Sequence, residues 1–88
     1  MSREALVKSL EQLRSEIHSL GVNDTAAKER MDRLIIDLEH QVANEDDHKH
    51  RASLLKQLPK LIDEFEARHP NITGIMDQIV NTLSNMGI

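Results

Sequence analysis

Apolar residues recur along the 88-residue chain at intervals of three and four, the spacing of one face of an α-helix. The first segment has one narrow apolar stripe, made of Leu6, Leu10, Leu13, Ile17 and Leu20. Its regular alternation of four and three is typical of a coiled-coil seam, in which a helix packs against one or two others. The second stripe comprises Ala27, Met31, Leu34, Ile35, Leu38 and Val42. We predict helices over 2–20 and 24–44, joined by a short turn at Gly21 into an antiparallel hairpin.

Two further stripes follow a wholly polar stretch, NEDDHKHR, at residues 44–51. The third stripe comprises Leu54, Leu55, Leu58, Leu61, Ile62 and Phe65, and the fourth Ile72, Ile75, Met76, Ile79, Val80, Leu83 and Met86. They predict helices over 52–69 and 72–86. Ser53 is a candidate N-cap of the third helix. Pro59 removes a backbone hydrogen bond, so this helix should either bend near 55–59 or begin again at the proline.

These elements predict an all-α fold over residues 1–88, a single domain. It consists of a helical hairpin and two further helices in a small bundle, with a coiled-coil-like first hairpin, three long helices and a shorter last one. The last helix should end at Gly87 in a left-handed conformation, with Ile88 folded back onto the helix.

The stretch FEARHPNITG, residues 65–74, is interpreted as a structural joint between the third and fourth helices. A residue before proline disfavours the helical conformation, so the third helix should end at about residue 68 or His69. Phe65 lies four residues earlier, on the same helical face as His69. Pro70 precedes the fourth helix, which Asn71 or Thr73 should cap.

Two patterns raise the possibility of a metal site. Glu66 and His69 have the spacing found in di-iron helical bundles, and His48 and His50, beside several carboxylates, form a pattern that chelates zinc, nickel or copper. Neither pattern has companion ligands spaced for a closed site. For His48 and His50 the favoured interpretation is a solvated loop or a helix start, where acidic residues suit the positive end of the helix dipole. For Glu66 and His69 it is the structural joint, and no metal or other cofactor is expected.

Composition argues against several classes of function. The net charge is −4 at pH 7, shared equally between the two halves, and Phe65 is the only aromatic residue. Nucleic-acid binding needs positive charge and stacking rings, so we do not expect nucleic-acid partners. Without cysteine the chain can have no disulfides, thiolate zinc sites or cysteine nucleophiles. The three glycines are scattered and form no phosphate loop, so we do not expect an enzyme.

The distribution of charge also bears on localisation. Charges recur every few residues from the start of the chain, which leaves no apolar signal region. The longest apolar run, residues 34–36, is far too short to span a membrane. We therefore expect a cytoplasmic protein that does not enter the membrane.

The chain resembles a known family over nearly its whole length. The resemblance is carried by the stretch Phe65-Glu66-x-x-His69-Pro70-x-Ile72-Thr73 and the helix end Met86-Gly87-Ile88. Together with the leading leucine-rich helix, these features are similar to the short bacterial helical proteins grouped as domain of unknown function four thousand four hundred and four. The resemblance implies a small all-helical protein of the bacterial cytoplasm, and it implies no activity and no functional residue.

We therefore expect a non-catalytic helical module that associates as a homodimer and binds a protein partner. A short chain without disulfides has a thin core, which self-association can supplement. The seam of the first helix suits pairing, and the fourth helix carries a single charge, at Asp77, so it should be covered. The alternative function is a metal-binding or metal-sensing bundle that uses His48, His50, Glu66 or His69.

Overall fold

The structure is a computed structural model that describes residues 2–19 and 25–86. It has four helices in these ranges: α1 (Ser2–His18), α2 (Thr25–Ala43), α3 (His48–Phe65) and α4 (Pro70–Asn85). This is the all-α small bundle that the apolar spacing predicts. The last helix is not distinctly shorter, however, because it has 16 residues against 17 in α1. The predicted turn at Gly21 and the predicted cap at Gly87 lie outside the described residues.

The helices lie in the order α2, α1, α4, α3, and each packs most extensively on its neighbours in that order. The most extensive contact joins α1 to α4, whereas α2 and α3 touch only sparsely. Two ion pairs show that α1 and α2 are antiparallel. Arg14, late in α1, pairs with Glu39 of α2, whereas Arg3, early in α1, pairs with Glu45, two residues beyond the end of α2. The predicted hairpin is therefore present, and an open groove separates α2 from α3.

The apolar stripes meet in one core between the four helices. The stripe of α1 is almost completely covered, with Leu6 and Leu13 at 0%, Ile17 at 4% and Leu10 at 6% exposure. Because α4 and α2 cover these side chains, the coiled-coil seam of α1 is satisfied inside one chain. Among the stripe residues that the structure describes, this seam offers no surface to a second copy.

The third helix begins earlier than the sequence predicts, at His48 instead of residue 52. Asp47 is its N-cap, and its carboxylate accepts a hydrogen bond from the backbone N–H of His50 at 3.1 Å. The prediction that Ser53 caps the helix is wrong, because Ser53 lies inside it and accepts a bond from the Gln57 side chain. Asp47 thus starts the helix within the polar stretch 44–51, and only residues 44–47 form the turn.

The helix also continues through Pro59 without a break. The alternative in which a helix begins again at this proline is therefore wrong. Pro59 lies on the exposed side of α3, where the carbonyl that loses its helical partner is closer to solvent than it would be in the core. The helix tolerates the proline because its buried side keeps a continuous row of leucines at positions 54, 58 and 61.

At the joint, α3 ends at Phe65, and residues 66–68 form a turn instead of a final helical turn. The backbone N–H groups of Arg68 and His69 both donate to the Phe65 carbonyl, at 3.1 and 2.8 Å. His69 is the N-cap of α4, with φ −134° and ψ 64°. Pro70 occupies the first helical position, where its missing N–H costs no bond and its fixed φ suits the helix.

The prediction that Asn71 or Thr73 caps α4 is therefore wrong, since the helix starts at Pro70 and includes both residues. The Thr73 hydroxyl instead donates back to the Pro70 carbonyl at 3.1 Å, and its backbone N–H donates to the His69 carbonyl at 3.0 Å. Proline at the first position fixes the start of the helix two residues before the predicted one.

Candidate functional site: the polar cluster at the α2–α3 turn

Polar side chains from the end of α2 and the start of α3 converge on the turn between them. We define this turn cluster as His40, Gln41, Asp47, His50 and Arg51. Gln41 and Arg51 are both 0% exposed, which is unusual for these residue types. The cluster brings together two histidines, an aspartate, an arginine and an amide, side-chain types that serve acid–base chemistry and ligand binding, so it is the candidate functional site.

Asp47 links the two helices through both of its carboxylate oxygens. One oxygen accepts from the His50 backbone N–H at 3.1 Å, and the other lies 2.9 Å from His40 Nε2. The hydrogen bond with the His40 side chain, followed by the bond from the His50 backbone, lowers the pKa of Asp47 below its ordinary value. Both bonds favour the ionised carboxylate, which is therefore the form that holds the turn together.

The two imidazole rings lie side by side, with centroids 4.4 Å apart and planes tilted by 55°. His50 Nδ1 lies 3.0 Å from the Gln41 side-chain oxygen, and His50 Nε2 lies 3.8 Å from a carboxylate oxygen of Asp37. Both nitrogens of His50 therefore face acceptors, and His40 faces Asp47. Each histidine has a hydrogen-bonding task inside the fold.

Arg51 ties the start of α3 to the turn before it. One terminal nitrogen donates to the Glu45 carbonyl oxygen at 2.7 Å, and the other contacts His48 Nδ1. In the described chain Arg51 Nε and Gln41 Nε2 are buried without a hydrogen-bond partner. The guanidinium is enclosed, so its role here is to hold the turn and not to meet a substrate.

The candidate metal ligands do not come together. His48 and His50 lie in the first turn of α3, whereas Glu66 and His69 lie just beyond its end. A helix of 18 residues is roughly 27 Å long, so the two pairs cannot share one ion. His48 also has the Arg51 guanidinium at its Nδ1. Among the described residues, no group of three or more His, Asp or Glu side chains is placed to hold a metal ion.

The joint residues form a small packed group at the other end of the molecule. Phe65 is 6% exposed, and the His69 ring lies beside it, with centroids 6.1 Å apart. The Arg30 guanidinium of α2 lies 5.3 Å from the centroid of the same phenylalanine ring and pairs with Glu64. These contacts fit the structural role that the sequence predicts for Phe65 and His69.

Sequence reasoning missed Gln41, which it placed in the second helix without a buried role, and Arg51, which it assigned to the polar stretch 44–51 before the third helix. A signal was available in the register of the apolar stripes. Gln41 lies three residues after Leu38, and Arg51 lies three before Leu54, so both fall on the buried face of their helices. A polar residue in register with a core stripe predicts a buried hydrogen-bonding role.

A groove runs between α2 and α3, where these helices touch only sparsely, with a volume of about 460 Å³. It is lined by Glu29, Arg30, Arg33, Leu34, Asp37, Gln57, Lys60 and Leu61. Its two leucines belong to the core, and the remaining side chains are polar or charged with both signs represented.

On the outward side of α2, Ile36 is 64% exposed. In the described ranges 2–19 and 25–86, every helix is too short or too polar to serve as a membrane span.

Comparison with known proteins agrees with this fold. The model of a family described as a domain of unknown function (DUF4404) matches residues 6–88, which include α2, α3, α4 and nearly all of α1. No curated protein and no solved structure matches the chain. The resemblance carried by the His-Pro joint and the helix end is thereby confirmed, and because the match covers almost the whole sequence, the chain belongs to the DUF4404 family.

Proposed function

We propose that the protein is a non-catalytic helical module that associates as a homodimer and, in that form, binds a protein partner. The observation that carries the proposal is the low charge of α4. This helix has one charged residue, Asp77, in 16 positions, while exposed residues such as Gly74, Gln78 and Asn81 are neutral. Solvated helix faces usually carry charges of both signs, as those of α1 and α2 do here.

The turn cluster supports the non-catalytic half of the proposal. Its histidines and its aspartate are bonded to one another or to neighbouring side chains, and its arginine is enclosed. These groups stabilise the connection between α2 and α3, which is a sufficient physical reason for their presence. Each titratable side chain of this cluster has a hydrogen-bond partner within the fold.

The described seam of α1 does not favour a dimer, because other helices of the same chain cover its side chains. The support comes instead from the outward side of α4. Sedimentation equilibrium of the full chain from micromolar to millimolar concentration tests the proposal. We expect a species of about twice the 10.0 kDa chain mass. A species of one chain mass over the whole range would contradict it.

Partner binding is tested separately, once the dimer is established. Immobilised wild-type protein should retain a binding protein from native lysate that a monomeric variant does not retain. Retention by both forms would show that the partner does not require the dimer, and retention by neither would contradict partner binding under those conditions.

A further inference from the structure

Gly74 lies in the fifth position of α4, exposed and in helical conformation. Glycine inside a helix is less favourable than alanine because it loses more backbone freedom on folding. A Cβ added at Gly74 would meet nothing within 4 Å in the described part of the chain. The fold of the single chain therefore accepts a Cβ at this position, and none of the described residues requires glycine here.

Gly74 belongs to a line of neutral residues along the outward side of α4. We define the neutral face of α4 as Gly74, Gln78, Asn81 and Asn85, all of which are exposed. At 100° per residue they lie opposite the buried side of the helix, which carries Met76, Ile79 and Leu83. Their spacing of four, three and four is that of a helix-packing seam, here made of neutral polar residues.

A groove between α4 and α1 runs beside this face, with a volume of about 490 Å³. The α1 wall includes Gln12, Ser15 and Glu16, and the α4 wall includes Gly74 and Ile75. Glu16 contributes the one carboxylate among these lining residues of the described chain. The half-buried Ile75 supplies apolar surface next to the glycine. The groove extends the neutral face sideways onto α1.

We propose that α4 crosses the α4 helix of a second copy at Gly74, with the two chains related by a two-fold axis. The proposal rests on the proposed self-association and names its surface. A two-fold axis brings each residue near it against its own copy. A charged side chain on the axis repels its own copy, whereas neutral amides can bond to each other. The one charged residue of α4, Asp77, is exposed and borders the neutral face, about 60° round the helix from Gly74. Glycine lets the two backbones approach closely, because no side chain lies between them at this position.

The outward side of α2, around the exposed Ile36, fits a two-fold axis less well. Ile36 is the centre of the outward side of α2, but Asp32, Arg33 and Glu39 surround it. Three charged residues therefore border an axis through Ile36, whereas Asp77 is the single charge of α4 that borders an axis through Gly74. The described bundle measures 37 by 21 Å along its two longest principal axes, so a broad face of it has room for the roughly 800 Å² per partner that a standard interface uses.

A single introduced cysteine tests the crossing directly, because the chain has no cysteine of its own. At a close crossing, two copies of Gly74→Cys lie within the Cα–Cα distance of a disulfide, about 4.4–6.8 Å. We expect mild oxidation to link Gly74→Cys into covalent dimers. The matched control Ala52→Cys, exposed on α3, should stay unlinked at the same concentration. Equal linking of both variants, or of neither, would overturn the crossing.

Sedimentation of two lysine variants separates failure of this surface from failure of the proposed function. We expect Gly74→Lys to raise the dissociation constant at least tenfold and Ile36→Lys to leave it within twofold, with helical circular dichroism unchanged in both. A wild type that stays monomeric contradicts the proposed function and this inference together. A wild-type dimer that survives Gly74→Lys overturns the inference alone, and dissociation only by Ile36→Lys moves the interface to α2.

Discussion

At the scale of single residues, Asp47 gives the turn between α2 and α3 a defined dependence on pH. The pKa of its carboxyl group is lowered in the folded protein, chiefly by the bond with His40 and then by the His50 backbone. Its contribution to stability is present above the ordinary pKa of 3.8 and is lost as the pH falls through the lower folded value. Asp47→Asn keeps an N-cap oxygen but not the charge.

We therefore expect the free energy of unfolding of the wild type to fall more steeply than that of Asp47→Asn as the pH drops below 3.8. Urea denaturation of both proteins at a series of pH values from neutral downward measures the difference. The remaining carboxylates are common to both proteins and cancel in the comparison. Parallel curves would show that the bonds of Asp47 do not favour its ionised form.

Gly74 gives a second prediction at this scale, concerning the single chain. Alanine at an exposed helical position loses less backbone freedom than glycine, and its Cβ meets no described atom within 4 Å. Gly74→Ala should therefore raise the free energy of unfolding of the monomer by about 0.5–1 kcal/mol. Denaturation at a concentration below the dissociation constant of the dimer measures this. A less stable variant would show that the glycine is required within the chain.

At the scale of helices, Pro59 weakens α3 without interrupting it. The ring removes one backbone hydrogen bond inside a continuous helix, on its exposed side. Pro59→Ala restores the donor, and we expect it to stabilise the protein by about 2 kcal/mol, after allowing for the greater freedom of the unfolded chain. Chemical denaturation of the variant tests this, with the exposed Lys56→Ala as a control expected to change little. A destabilised Pro59→Ala would indicate that the proline ring itself supports the helix.

The helices are also where sequence reasoning succeeded and failed for identifiable reasons. The four apolar stripes predicted the four helices and the core because burial sets their period. Helix starts were harder, since several residues near each start could cap it. Asp47 caps α3 in place of Ser53, and α4 begins at a proline in its first position, before the later candidate caps.

The turn cluster was not predicted because its main contacts join different helices. The pairs His40–Asp47 and Gln41–His50 depend on the geometry of the turn, which local spacing does not give. The neutral face of α4, by contrast, can be read from the sequence once the buried side of that helix is known. The sequence alone shows that α4 has a single charged residue, and the fold shows which of its residues point outward.

At the scale of the whole molecule, the core is closed within one chain. Apolar residues from all four helices form it, and several of them, including Leu6, Met31 and Leu83, are 0% exposed. A chain with its own core folds as a monomer, and a dimer then adds stability only by mass action. Above the dissociation constant, a tenfold rise in concentration should add on the order of 1 kcal/mol.

The melting temperature of the wild type should therefore rise with protein concentration, whereas that of Gly74→Lys should stay constant. Both should unfold cooperatively, because the substitution lies outside the core. Thermal scans by circular dichroism over at least two decades of concentration, at one scan rate, provide the comparison. A variant that unfolds without a cooperative transition would contradict the closed core. A wild type whose melting temperature ignores concentration would contradict the dimer, since a partner that binds only the folded chain must raise that temperature.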